Sequence, residues 1–144
     1  MMIRAIFFLS VLSASCISFA DSKIEPSFDG DRALAHIYKQ VSFGPRTLDN
    51  PKAKAATLDF IGSYLEPLAT KLTVQPFSAN GLSGNNLWAS FINPKPHANQ
   101  RIMLGAHWDT RPISDQESDS SKQHLPTPGA NDGGSGVAVL LELA

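Results

Sequence analysis

Apolar residues at Leu34, Ile37, Tyr38 and Val41 recur at i, i+3, i+4 and i+7, the spacing of one helix face. Asp29 and Asp31 stand before them as N-cap residues, and Gly44-Pro45 stops the helix behind them. A second helix is predicted after Asn50, with Pro51 at the first helical position, where a missing N–H costs nothing. Ala55, Leu58, Ile61 and Leu65 form its expected buried stripe, and Pro67 forces the exit. His36 lies off the first stripe and is expected at the surface.

The period then changes from helical to alternating. Leu72 and Val74 alternate with polar neighbours and lead to Pro76-Phe77. Asn80-Gly81 to Gly84-Asn85 is a turn-rich link, after which Leu87, Ala89 and Phe91 alternate again, with Trp88 out of phase. Asn93-Pro94-Lys95-Pro96 breaks the pattern, and His97 falls in this proline turn, where a surface position is expected. Ile102-Met103-Leu104-Gly105-Ala106 is a continuous apolar run, predicted as a strand covered on both faces. A polar loop follows over 111–128, in which His124 is expected to be solvent-exposed. Ser135 to Ala144 is apolar almost throughout and reads as a buried helix. That helix has no C′ glycine, no basic last turn and no following loop, so the protein is expected to continue past Ala144.

The first 20 residues follow a different logic. Arg4 is followed by an uncharged run from Ala5 to Phe19, and Ser18-Phe19-Ala20 has the small-x-small form of a cleavage site. The run is too short and too interrupted by serines for a membrane anchor, so 1–20 is read as a signal peptide and the mature protein as starting at Asp21. An exported, periplasmic or secreted protein is expected, without stable membrane association. Lipid modification at Cys16 is a minor alternative, because Leu12 stands one place too far from it for the bacterial lipoprotein signal.

Composition narrows the function. The protein has 12 Lys+Arg against 13 Asp+Glu, so it lacks the basic excess that nucleic-acid binding requires. Its one cysteine excludes a disulfide framework and a multi-cysteine zinc knuckle. No Lys follows the glycines at 133–136, which excludes a P-loop, and Val137 stands where a nucleophile elbow needs glycine. Asp115, Glu117 and Asp119 begin like a calcium loop, but Ser120 and Pro126 occupy its required Gly and Glu positions.

Two segments carry the candidate chemistry. His107 sits at the end of the predicted buried strand, where open α/β sheets place their ligand sites. If the backbone stays extended, Asp109 points to the same side and can fix the tautomer of a metal-binding imidazole. Asp132 lies among Gly129, Gly133, Gly134 and Gly136, just before the last helix. Glycines permit close backbone approach and positive φ, which suit a carboxylate presented to an ion; a plain helix N-cap is the simpler alternative.

The run from Ala106 to Pro112 (AHWDTRP), followed by Pro128 to Ala144 (PGANDGGSGVAVLLELA), resembles the zinc exopeptidase family M-28, which holds aminopeptidases and glutaminyl-peptide cyclotransferases. Phe43-Gly44-Pro45-Arg46, Asn86-Leu87-Trp88-Ala89 and Asn93-Pro94 extend the likeness over about residues 29–144.

The resemblance implies a three-layer α/β fold with a mixed central β-sheet flanked by helices, truncated here at its C-terminal side, with 21–144 as the N-terminal part of a single zinc exopeptidase-like catalytic domain. It implies one or two Zn2+ ions. In the aminopeptidase branch His107 matches a ligand of one zinc, Asp132 a bridge between two, and Asp109 the acid that orients its histidine. In the cyclotransferase branch one zinc is usual, Asp132 matches a ligand, and His107 need not be one. The family's Glu-Glu pair, late His and additional acid would lie beyond Ala144, and Glu142 is not part of that pair. The implied substrate is a peptide or protein N-terminus. Trp108, Thr110 and the Asn86…Asn93-Pro94 region look more like the cyclotransferase side, with the aminopeptidase and a non-catalytic binding remnant as alternatives. The 144 residues by themselves are expected to be inactive.

Overall fold

The computed structural model describes residues 27–92 and 101–144. The expected signal peptide at 1–20, Cys16 and His97 lie outside these residues.

Helix α1 spans Gly30–Ser42, with Asp29 as N-cap accepting the Arg32 N–H at 3.0 Å. Helix α2 spans Pro51–Leu65, capped by Asn50, whose side chain accepts from the Ala53 N–H at 3.2 Å. Strands β1 (Lys71–Ala79) and β2 (Leu82–Ser90) pair antiparallel from Lys71↔Ser90 to Ala79↔Leu82. The link between them is tighter than the sequence suggests. Asn80 and Gly81 alone make the turn, at φ 53° and 77°, and Gly84 and Asn85 lie within β2. Two consecutive positive-φ residues match the right-handed strand twist of a two-residue hairpin. Helix α3 spans Gly136–Leu143.

Ile61 and Leu65 of α2 meet Val137 and Leu141 of α3 in the core, and Leu72, Leu87 and Ala89 of the hairpin pack against them. The ring of Trp108 joins the same cluster.

The faces of α1 and α2 are rotated from the predicted stripes. In α1 the buried residues are Ala33, His36 and Gln40, while Leu34 and Tyr38 are exposed. In α2 Ala53 and Thr57 join Ile61 and Leu65 in the interior, and Ala55 is exposed. The expectation that His36 is a surface residue is therefore corrected: it is 7% exposed. Its ring meets Tyr64 edge-on at 4.6 Å between centroids, and Gln40 one turn later donates to the Gly134 carbonyl at 3.1 Å. Polar partners on neighbouring elements, rather than greasy spacing, choose which face of α1 turns inward.

The predicted strand at Ile102–Ala106 is also corrected. Among the described residues it pairs with neither β1 nor β2, and Ile102, Met103 and Leu104 are 86%, 77% and 62% exposed. A strand buried on both faces needs pairing neighbours and covering layers, and the described residues supply neither. The loop at 111–128 is polar as expected, with one short 3-10 turn at Ser120–Lys122 and His124 exposed. Its acids are engaged locally, Asp115 with Arg111 and Asp119 with Lys122.

Candidate metal centre

The segment that carries His107 is anchored through its neighbour. Trp108 turns its ring into the core and donates its indole N–H to the Asn85 carbonyl at 3.1 Å. With Trp108 held inward, His107 and Asp109 both reach outward and meet, Nδ1 to Oδ1, at 3.3 Å.

Asp132 arrives from the other side of the long loop. It lies in a kinked turn, Ala130–Ser135, where its own backbone is extended (φ −76°, ψ 100°) and Gly133 is left-handed at φ 88°. That reversal lets α3 begin at once while Asp132 stays at its mouth. A β-carbon on Gly133 would stand 2.8 Å from the Asp109 carbonyl oxygen and 3.2 Å from His107 Cε1. Glycine is needed here for space as well as for φ.

The outcome is a three-residue line. His107 Nε2 lies 3.1 Å from Asp132 Oδ1, so the two ring nitrogens face two different carboxylates. All three side chains are substantially exposed, and His107 and Asp132 open on a cleft of about 330 Å3 lined also by Asn131 and Ser135. The sequence-predicted residues His107, Asp109 and Asp132 are thus brought together.

A neutral imidazole has one N–H and one lone pair. It can donate to one carboxylate, and its other nitrogen then presents a lone pair to the second. That contact needs a cation between nitrogen and oxygen: a proton or a metal. Two ligands held about 2.0–2.2 Å from one zinc ion stand roughly 3.0–3.5 Å apart. The His107–Asp132 spacing and its N/O donor set fit such an ion. Among the described residues no group of three or more His, Cys, Asp or Glu side chains could hold a metal.

Sequence reasoning gave no role to two buried residues that frame this site. Gln40 ties α1 to Gly134, and the fully buried Arg46 donates to the Trp108, Pro128 and Gly129 carbonyls at 3.1, 2.9 and 2.7 Å. Both sat in plain view, Arg46 directly behind the helix stop Gly44-Pro45, but a polar residue in sequence does not announce that it will be buried.

Residues 86–144 match the model of peptidase family M28. This span includes His107, Asp109 and Asp132. Residues 86–144 belong to peptidase family M28. The likeness reaches beyond the matched M28 span in solved structures. A glutaminyl cyclase from Tannerella forsythia is 38% identical with a TM-score of 0.70, and a Zn-dependent exopeptidase from Parabacteroides distasonis is 40% identical with a TM-score of 0.70. A leucine aminopeptidase precursor from Bacteroides thetaiotaomicron is 39% identical, again with a TM-score of 0.70. Each comparison covers 82% of this protein and 41% of the other. The 144 residues span 36% and 28% of the length of two curated relatives they match. Over the part compared, the protein has the α/β fold of these zinc exopeptidase and glutaminyl cyclase structures.

Proposed function

We propose that these residues are part of a zinc-dependent enzyme acting on peptide N-termini, and that the reaction is cyclisation of an N-terminal glutamine to pyroglutamate. The observation that carries the zinc reading is the His107 ring set between Asp109 and Asp132 at 3.3 and 3.1 Å. His107 and Asp132 would hold the ion, while Asp109, on the other ring nitrogen, keeps the proton on Nδ1 and leaves Nε2 free to ligate. Bound there, zinc supplies Lewis acidity toward a carbonyl oxygen.

In the cyclisation the peptide's terminal amine attacks the carbonyl carbon of its own glutamine amide. A new bond from that amine nitrogen to the carbonyl carbon closes the ring, and the bond from the carbonyl carbon to the amide nitrogen breaks. Ammonia leaves with the proton given up by the attacking amine. The likeness to the Tannerella forsythia glutaminyl cyclase and the Trp108-Asp109-Thr110 sequence support this branch. The leucine aminopeptidase precursor at 39% identity supports the second reading, a zinc aminopeptidase in which water is the nucleophile. The leader-like segment at 1–20 supports action in the periplasm or outside the cell.

The native gene product, incubated with an N-terminal glutamine peptide and with leucine p-nitroanilide, separates the branches. Ammonia release without amine release is expected, and the reverse result assigns the aminopeptidase. Activity that survives removal of divalent metal by a chelator overturns both.

A further inference from the structure

Arg46 has no exposed surface, and each of its donor groups goes to a backbone carbonyl. Nε donates to Trp108, the residue between His107 and Asp109. Nη1 and Nη2 donate to Pro128 and Gly129, which lead into the Asp132 turn. The Arg46 carbonyl in turn accepts the Thr110 N–H at 3.3 Å, so Arg46 binds the backbone on both sides of Asp109. Gly129 is pressed onto this group, since a β-carbon there would lie 2.8 Å from Nη2 and 2.1 Å from Thr110 Cγ2. Gly129 also accepts the Gly134 N–H at 3.1 Å, closing the turn that presents Asp132.

We propose that Arg46 is the positioning residue of the site: its guanidinium joins the His107–Asp109 segment to the Asp132 turn and sets the gap between His107 and Asp132. The proposal rests on the reading of that pair as a zinc site. A planar fork with fixed donors can hold three carbonyls in one arrangement, whereas a lysine ammonium on a flexible stem behaves as a point charge. Burying such a cation among carbonyls is costly, which argues that the geometry it enforces matters. Burial pulls the Arg46 pKa below the ordinary arginine value, and Asp109 and Asp132 pull it back up.

Charge and position make opposite forecasts. By electrostatics alone, removing a cation near Asp109 and Asp132 strengthens binding of another cation. If Arg46 sets the gap, removing it weakens binding. Zinc affinity is measured on the wild-type protein and on Arg46→Met and Arg46→Lys by competition with a chromophoric chelator, well below each protein's unfolding temperature. Both variants are expected to bind about tenfold or more weakly, the magnitude usual for groups that orient ligands from behind. Equal or tighter binding by folded Arg46→Met overturns the proposal, and a loss confined to unfolding temperature does the same. If Arg46→Met does not fold, Arg46→Lys decides.

If the wild-type protein takes up no zinc at all, the zinc reading fails, and the clamp is judged separately by NMR. An Arg46 Nε–H that exchanges with solvent far more slowly than that of the exposed Arg101 supports it, and equal rates overturn it.

Discussion

His107 and Asp132 meet across the whole of the Arg111–Pro128 loop, Nε2 to Oδ1, at 3.1 Å. The same ring turns its other nitrogen to Asp109, so one imidazole joins two acids that reach it from different segments. Neither contact is buried, and an exposed ion pair contributes little to stability. The arrangement is therefore better explained by what it can bind than by what it stabilises.

Zinc binding by the 144 residues alone should be weak, with a Kd no tighter than about 1 μM, because two ligands fall short of the three that a catalytic site requires. His107→Ala and Asp132→Asn should each abolish it. Chelator competition measures this directly, and a sub-micromolar site would contradict a two-ligand centre. The same polypeptide should turn over neither the glutamine peptide nor leucine p-nitroanilide.

Asp109→Asn should lower zinc affinity about 10- to 100-fold without moving the unfolding temperature appreciably. Its side chain is exposed and touches the site through the His107 ring. Calorimetric titration beside a thermal melt separates the two effects.

Gly133→Ala should destabilise the protein by about 1–3 kcal/mol, since an L side chain is strained at positive φ and its methyl group would press on the Asp109 carbonyl. It should also displace the His107 ring, seen as a shift of the ring Cε1–H resonance. Gly30→Ala serves as the control, because nothing lies within 4 Å of a β-carbon there.

Stability should fall in two steps as the solution is acidified. Burial lowers the His36 pKa, against a smaller upward pull from Glu142, while Arg32 adds to the lowering. The unfolded state then binds a proton that the folded one resists, so stability is full above about pH 6.5 and is lost as pH falls below it. The His36→Phe variant should flatten this step in thermal melts, since Phe60 and Tyr64 already form an aromatic pocket there. Glu142 shares the second step with Asp49 and Asp119, whose carboxyls are held low by hydrogen bonds from Thr47 and Ser121. Hydrogen bonds from Arg32 hold the Glu142 carboxyl below the usual glutamate range, and the Asp29 N–H donates to it at 2.9 Å. This contribution is present above the unfolded glutamate value of about 4.3 and is lost as pH falls through the lower folded value. Glu142→Gln should shrink the second step and deepen the first, because it also removes the upward pull on His36.

Much of the local structure was legible in the sequence. Asp29, Asn50 with Pro51, Gly44-Pro45 and Asn80-Gly81 act within a few residues of themselves, through caps, a fixed φ and a turn. Their effects appear where the spacing predicts them. Leu34 and Tyr38 show where such reasoning stops. Helical spacing identifies a stripe, but the buried face of α1 is chosen by Tyr64 against His36 and by Gly134 against Gln40, contacts between residues far apart in sequence. The apolar run at Ile102–Leu104 carries the composition of a strand, yet a strand exists through its neighbours, and composition cannot supply them.

The site divides along the same line. The sequence by itself determined which residues could bind a metal: His107 and Asp109 two apart, and Asp132 among glycines before an apolar helix. Tertiary structure alone decided that Asp132 crosses a polar loop to stand beside His107. It also turned Arg46 inward, from a position four residues past the end of α1, to join the two segments that carry those groups. Caps and turns rest on short-range forces, which a sequence displays, whereas a metal site is a distance between segments, and that distance is set by packing.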